Sequence, residues 1–185
     1  SIISIYFMII YNNMNELLIL YILLNGQSTM YGLSKSLQKY FGAITKPGFG
    51  TLQPALKRME KNNFIKSDKF FTEGGKPYYY YSITENGKLF LNEKLLEKPS
   101  INPTQFLPNS KIKIACSDVL DNNDKLKLYT TVKNGLLKLK LEAENAINSE
   151  DINRHFYRKM ILDNTICEYK NFITLIEGLE HACNR

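Results

Sequence analysis

The sequence predicts a mainly α-helical protein of the α+β class: a small helical domain carrying one β-hairpin, followed by an all-helical domain. Three observations carry this. Gly48–Ile65 holds a short amphipathic helix with a cationic outer face. Gly74-Gly75 separates two strand-like runs rich in aromatic residues, the pattern of a hairpin. Beyond Asp121 the apolar residues recur at helical spacing over two long stretches.

The elements follow in chain order. Residues 1–13, SIISIYFMIIYNN, are apolar and uncharged. They lack the basic start and small-residue cleavage site of a signal peptide. The run on through Leu24 is interrupted by Asn12, Asn13, Asn15 and Glu16, so it is a poor membrane span and no stable membrane insertion is expected. So apolar a segment needs burial, and we read it as an extra helix packed on the C-terminal domain or on a partner subunit. Asn15–Asn25 is the first helix of the N-terminal domain, with Leu17, Leu18, Leu20, Tyr21 and Leu24 inward and Gly26 as its stop. Ser28 or Thr29 can cap the next helix, which runs from about Met30 to Phe41 with Leu33 and Leu37 inward. Gly42–Gly50 connects it to the third.

In that third helix Leu52, Ala55, Leu56 and Met59 form the inward stripe, and Gly50, Pro54, Lys57 and Lys61 lie opposite, flanked by Gln53 and Arg58. Proline is tolerated in a first helical turn, where its missing N–H has no intrahelical partner. That places the helix start near Gly50 or Thr51. Phe64–Phe71 and Lys76–Ile83 are the two strands. On the second, Tyr79, Tyr81 and Ile83 share one face, and Tyr78 and Tyr80 the other. A basic helix followed at once by a hairpin is the layout of a winged helix-turn-helix, whose helix enters the major groove of DNA while the hairpin touches flanking backbone or minor groove. Thr84 can cap a further helix through Leu96. Glu97–Pro108 holds three prolines and reads as a linker.

At these residues the sequence resembles the PadR-like transcriptional regulators. The matching motifs are Gly50–Glu60, then Gly74-Gly75-Lys76-Pro77, then Tyr80–Gly87; Met30-Tyr31-Gly32-Leu33 stands where the family usually has His-Gly-Tyr. Two positions depart from the family pattern: Gln53 stands where a Tyr usually precedes the helix proline, and Tyr78 and Tyr79 stand where the wing is often basic. The resemblance covers residues 14–98 well and the remainder loosely. Met14 stands where relatives begin, so residues 1–13 are either an upstream start or the extra helix read above. By resemblance Tyr81 and Ile83 are structural, which leaves Tyr78 or Tyr80 exposed beside Lys76. The expected DNA-binding residues are Lys46, Thr51, Gln53, Pro54, Lys57, Arg58, Lys61, Lys76, Tyr78 and Tyr80. Among them Gln53 matches an adenine edge, and Lys46 lies near helix N–H groups that suit a phosphate.

In the C-terminal part, Lys111–Leu120 is expected to form a short helix. Asp121-Asn122-Asn123-Asp124 is a cap cluster, followed by a long helix over Lys125–Ile147. A second long helix starts after Ser149 and reaches about Ala182. Within it Leu162, Ile166, Tyr169, Ile173 and Ile176 step by 4, 3, 4 and 3, a heptad seam. Two helices alone cannot bury both faces, so the seam is read as a homodimer interface, as the family resemblance also implies. The expected division is thus an apolar extension at 1–13, a winged helix-turn-helix domain at 14–98, a linker at 99–110 and a helical dimerisation domain at 111–185.

Charge supports this division. Residues 26–98 hold twelve Lys/Arg against six Asp/Glu, whereas the other residues hold twelve against twelve. The whole excess of +6 therefore sits where DNA is expected, the footprint of a phosphate binder. Nothing suggests catalysis or a cofactor. His155 and His181 lie 26 residues apart on one expected helix, about 39 Å at the α-helical rise, so one chain cannot bring them together. Cys116, Cys167 and Cys183 have no metal-ligand spacing and read as reduced thiols of a cytoplasmic protein. The resemblance implies a bacterial repressor that binds a palindromic operator as a dimer and answers to a small aromatic effector. No tryptophan is present to stack on such a molecule. Tyr129, Phe156, Tyr157, Tyr169 and Phe172 are the candidate lining, with core packing as the plainer reading. A protein-interaction adaptor built on the same winged helix is the alternative, and it does not require the concentrated charge.

Overall fold

The computed structural model describes residues 14–45, 48–149 and 155–184, with only the backbone at Phe49. The expectations for residues 1–13 and for Lys46 lie outside them. Helices dominate, with one small antiparallel sheet. The chain divides into one unit of residues 1–97 and 111–116 and another of residues 98–110 and 117–185. Among the described residues no helix is long and apolar enough to cross a membrane.

In the first unit, helix α1 covers residues 14–23. Leu17, Leu18, Ile19 and Leu20 are all buried. Four consecutive buried positions leave this turn no solvent face, as befits a helix that is apolar all round. Helix α2 (Met30–Phe41) starts at Thr29, whose Oγ1 accepts from the Gly32 N–H at 3.1 Å. Helix α3 (Phe49–Lys61) buries Leu52, Ala55, Leu56 and Met59, the stripe expected from the sequence.

Its start differs from expectation. With Gly48 as N-cap and Phe49 as first residue, Pro54 falls in the second turn. The proline leaves the Gly50 carbonyl without its usual intrahelical donor, and the break is accommodated because Gly50 and Pro54 both face solvent.

Helix α3 ends in a Schellman turn. Asn63, at φ 56°, enters the left-handed region, its N–H donates to the Glu60 carbonyl at 3.0 Å, and the Phe64 N–H donates to Met59 at 2.9 Å. This closes the free carbonyls at the helix end and leads directly into β1 (Ile65–Phe71). Strand β1 pairs with β2 (Pro77–Ile83) from Ile65 opposite Ile83 to Phe71 opposite Pro77. Gly75, at φ 75°, allows the tight turn between them. Ser28 exchanges two backbone hydrogen bonds with Tyr81, of 3.0 and 2.8 Å, which fastens the hairpin to the start of α2. Helix α4 (Glu85–Leu96) is capped by Thr84 as expected, its Oγ1 accepting from Gly87 N–H at 3.0 Å.

The linker expectation is corrected. Helix α5 spans Pro103–Ala115, so it begins within the stretch read as linker rather than at Lys111. Pro103 occupies its first position, which suits proline, and Pro108 is an exposed residue of the second turn. Near the end of α5, Lys113 is buried in the first unit. Its Nζ donates to the carbonyls of Lys94 at 2.6 Å, Leu95 at 3.4 Å and Glu97. It thereby caps the C-terminus of α4 with a side chain.

In the second unit, a 3₁₀ turn at Ser117–Val119 precedes α6 (Asn122–Ile147), capped by Asp121, which accepts from Asp124 N–H at 2.8 Å. Helix α6 thus starts three residues before Lys125. Ser149 does not open the next helix. Its hydroxyl donates back to Ala146 at 2.8 Å, and α7 spans Phe156–Cys183 without a side-chain capping hydrogen bond. Helices α6 and α7 pack antiparallel: Asn122 Nδ2 donates to the Cys183 carbonyl at 3.4 Å, and Lys133 pairs with Glu180. Leu128, Tyr129, Val132, Leu136 and Leu139 meet Ile166, Tyr169, Phe172 and Ile176 in this core. Phe106 joins it, with its ring seated on Gly135.

Candidate nucleic-acid interface

The apolar stripe of α3 sets what the helix presents outward. Thr51, Gln53, Pro54, Lys57, Glu60 and Lys61 are exposed. Gln53, Lys57 and Glu60, at helical steps of four and three, line a cleft of about 720 Å³ with Thr29, Met30 and Tyr31 of the α2 start. Lys76, Pro77, Tyr78, Tyr79 and Tyr81 close it from the wing. Of the ten expected contact residues, Gln53, Lys57, Lys76 and Tyr78 are thus brought together, and Thr51, Pro54 and Lys61 stand free on the same helix. The Thr51 hydroxyl donates at 2.8 Å to the Gly48 carbonyl, so its acceptor lone pairs remain for a partner.

Arg58, expected among the DNA contacts, is engaged within the chain. Its Nε donates to Glu16 Oε1 at 3.0 Å, and Nη2 lies 2.9 Å from the same oxygen. The guanidinium ties α3 to α1, because position 58 rotates toward the inner edge of the helix. Glu16 is the more buried partner, with 12% of its side chain exposed against 38% for Arg58. Arg58→Ala is expected to lower stability by about 1–2 kcal/mol, chiefly by leaving that carboxylate unpaired. The slope of DNA affinity against salt should stay unchanged. A slope reduced as much as by Lys57→Ala would instead assign Arg58 to phosphate.

The wing also differs from expectation. Tyr78 and Tyr80 are half-buried and pack with Phe70, with ring centroids 5.6–5.8 Å apart. The more exposed tyrosine is Tyr79, at 42%. Strand alternation places Tyr79 with Lys69 and Tyr81 on the cleft side, a signal already present in the sequence. Burial pushes the Tyr81 phenol above its ordinary pKa, and Glu60 and then Tyr79 push the same way, so it stays a neutral donor. Sequence reasoning also missed Glu60. This carboxylate accepts from the Ser67 hydroxyl and joins α3 to the wing.

The seam residues Ile166, Tyr169 and Ile176 are buried in the single chain, Leu162 and Ile173 are half-buried, and Phe172, not Ile173, is the fully inward neighbour. The aromatic candidates for an effector pocket separate. Tyr129, Tyr169 and Phe172 are core residues, with the Tyr129 hydroxyl 3.0 Å from Ser117 Oγ, whereas Phe156 and Tyr157 are exposed.

The profile of the transcriptional regulator PadR-like family matches residues 19–93. A PadR family transcription regulator from hypervirulent Clostridium difficile R20291 is 34% identical over 43% of this chain and 81% of its own, with a TM-score of 0.38. A transcriptional regulator from Clostridium thermocellum is 33% identical over 43% and 76%, with a TM-score of 0.40. Bacillus subtilis PadR, solved in complex with operator DNA, is 16% identical over 91% of this chain and 98% of its own, with a TM-score of 0.45. No curated protein sequence matches. The profile match and the two clostridial relatives show that the chain belongs to the PadR-like family of transcriptional regulators.

Proposed function

We propose that this regulator reads a palindromic operator in double-stranded DNA as a homodimer and represses transcription from it, with a small aromatic molecule as release signal. The observation that carries the DNA reading is the juxtaposition of exposed Gln53 and Lys57 with Lys76 and Tyr79 across one cleft, in the segment that holds the whole charge excess. Gln53 fits an adenine edge in the major groove, and Lys57, Lys61 and Lys76 fit phosphates. A dimer would set two such helices about 34 Å apart, one turn of duplex. The second copy is assigned to the exposed apolar residues Phe156, Tyr157, Met160 and Ile161 of α7, since three of the five seam residues already pack within the chain.

The experiment is selection from random duplex DNA at about 150 mM salt, a condition that suppresses purely electrostatic retention. An enriched inverted repeat is expected. Gln53→Ala should then cost about 1–3 kcal/mol at one base pair and little elsewhere. Lys57→Ala should weaken all duplexes alike and reduce the salt slope by about one. Retention without enrichment that fades with salt would leave the adaptor reading standing instead.

A further inference from the structure

The two faces of the wing differ in chemistry. Register and strand alternation place Ser67, Lys69, Phe71, Pro77, Tyr79 and Tyr81 on one face. Lys66, Asp68, Phe70, Tyr78 and Tyr80 lie on the other, where the rings pack on one another. Each face carries a lysine, but only the second also carries a carboxylate, Asp68; the first supplies Tyr79 and Tyr81 to the cleft with Gln53 and Lys57, beside Tyr78. At its outer end Phe71 is 61% exposed, opposite Pro77, and the Lys69 ammonium lies 5.0 Å from the Phe71 ring centroid. A protruding aromatic ring braced by proline and accompanied by a cation suits the minor groove, where apolar side chains part stacked bases while cations meet phosphates.

Reach agrees. Six residue steps from Ile65 to Phe71 span about 20 Å of strand. The minor groove beside a major-groove helix lies about half a duplex turn away, roughly 17 Å.

Resting on the DNA reading above, we propose that Phe71, backed by Pro77, wedges into the minor groove flanking the bases read by α3 and partly unstacks one base step. Affinity then depends on how easily that step opens, at a position where no side chain reads a base edge. Pyrimidine–purine steps yield more readily than A-tracts.

The test uses the full chain and the duplex it enriches from a random pool, with 2-aminopurine substituted singly at flanking adenines. Wild type should raise the emission at one flanking step, and Phe71→Ala should abolish the rise. Changing that step from TpA to ApA should weaken wild type roughly threefold to tenfold and leave Phe71→Ala indifferent, whereas Phe71→Leu should retain the preference. The exposed position predicts an unchanged melting temperature for both variants. A preference and an emission change that survive Phe71→Ala would overturn the wedge. So would an equal loss on both duplexes with no emission change in wild type, which would mean contact with backbone alone. Either result leaves the enriched repeat, and hence the DNA reading, intact. Failure to enrich any duplex would remove both together.

Discussion

Phe106→Ala is expected to destabilise the second unit by about 3–5 kcal/mol, the range for deleting a buried aromatic ring. Phe106 is 1% exposed, and its ring occupies the space that a side chain on α6 would otherwise fill. A Cβ placed on Gly135 would overlap Cζ and Cε2 of that ring. Gly135→Ala alone should therefore cost about 1–3 kcal/mol through overpacking, even though alanine favours a helix interior over glycine by about 1 kcal/mol. In the double variant the new methyl enters vacated space. Its loss should be smaller than the sum of the singles by about 1–2 kcal/mol, a coupling expected only of residues in contact. Chemical denaturation of the four proteins measures it, and strict additivity would show that the ring does not sit against Gly135.

Lys113→Met is the second large effect. The substitution keeps the bulk of the side chain but removes the donor shared by the carbonyls of Lys94, Leu95 and Glu97. Acceptors left unpaired in a buried site cost about 1–3 kcal/mol each when nothing replaces the bond; since Leu95 alone of the three is fully buried, a total of about 2–3 kcal/mol is expected.

The loss should depend on pH. Burial pushes the Lys113 amine down to about 8, against a smaller upward pull from the Glu97 carboxylate and a further downward push from Lys94. An unfolded lysine titrates near 10.4. Between these values the unfolded chain binds the extra proton, so this group's contribution to stability rises with pH from about 8 to about 10.4 and is flat below. The stability gap between wild type and Lys113→Met should accordingly widen over that window. A gap independent of pH would mean that the amine is not desolvated.

The sequence made the local devices legible and concealed those that depend on distant partners. Thr29, Thr84 and Asp121 cap helices as their side chains imply, and the wing turn follows from Gly74-Gly75. Pro54 points to a later start for α3, and Pro103 and Pro108 point to a linker where α5 runs, because proline best suits a first turn or a loop. Its ring is tolerated in a second turn whose freed carbonyl meets solvent. Arg58 and Glu16 are 42 residues apart, and nothing local distinguishes a tethered arginine from a free cation. The α7 seam was visible, but the same spacing serves a partner within the chain and one outside it. At 100° per residue Phe172 and Ile173 flank the Tyr169–Ile176 line on opposite sides, and the chain buries the Phe172 side more fully. The outward placement of Gln53 and Lys57 is legible from the helical wheel. Resemblance favours the Tyr78 and Tyr80 face, whereas strand pairing sets Tyr79 opposite Lys69 on the cleft side.

The turn at Asn63 has a consequence for what such a protein can measure. Main-chain bonds from Asn63 and Phe64 close the end of α3, and the Glu60–Ser67 hydrogen bond crosses the same corner. No slack lies between α3, the helix proposed to face bases, and the hairpin proposed to face their flank. On a duplex, where each base pair advances the axis by about 3.4 Å, two probes on one rigid bracket form a ruler. A sequence with the right letters at the wrong interval would satisfy one probe only by displacing the other.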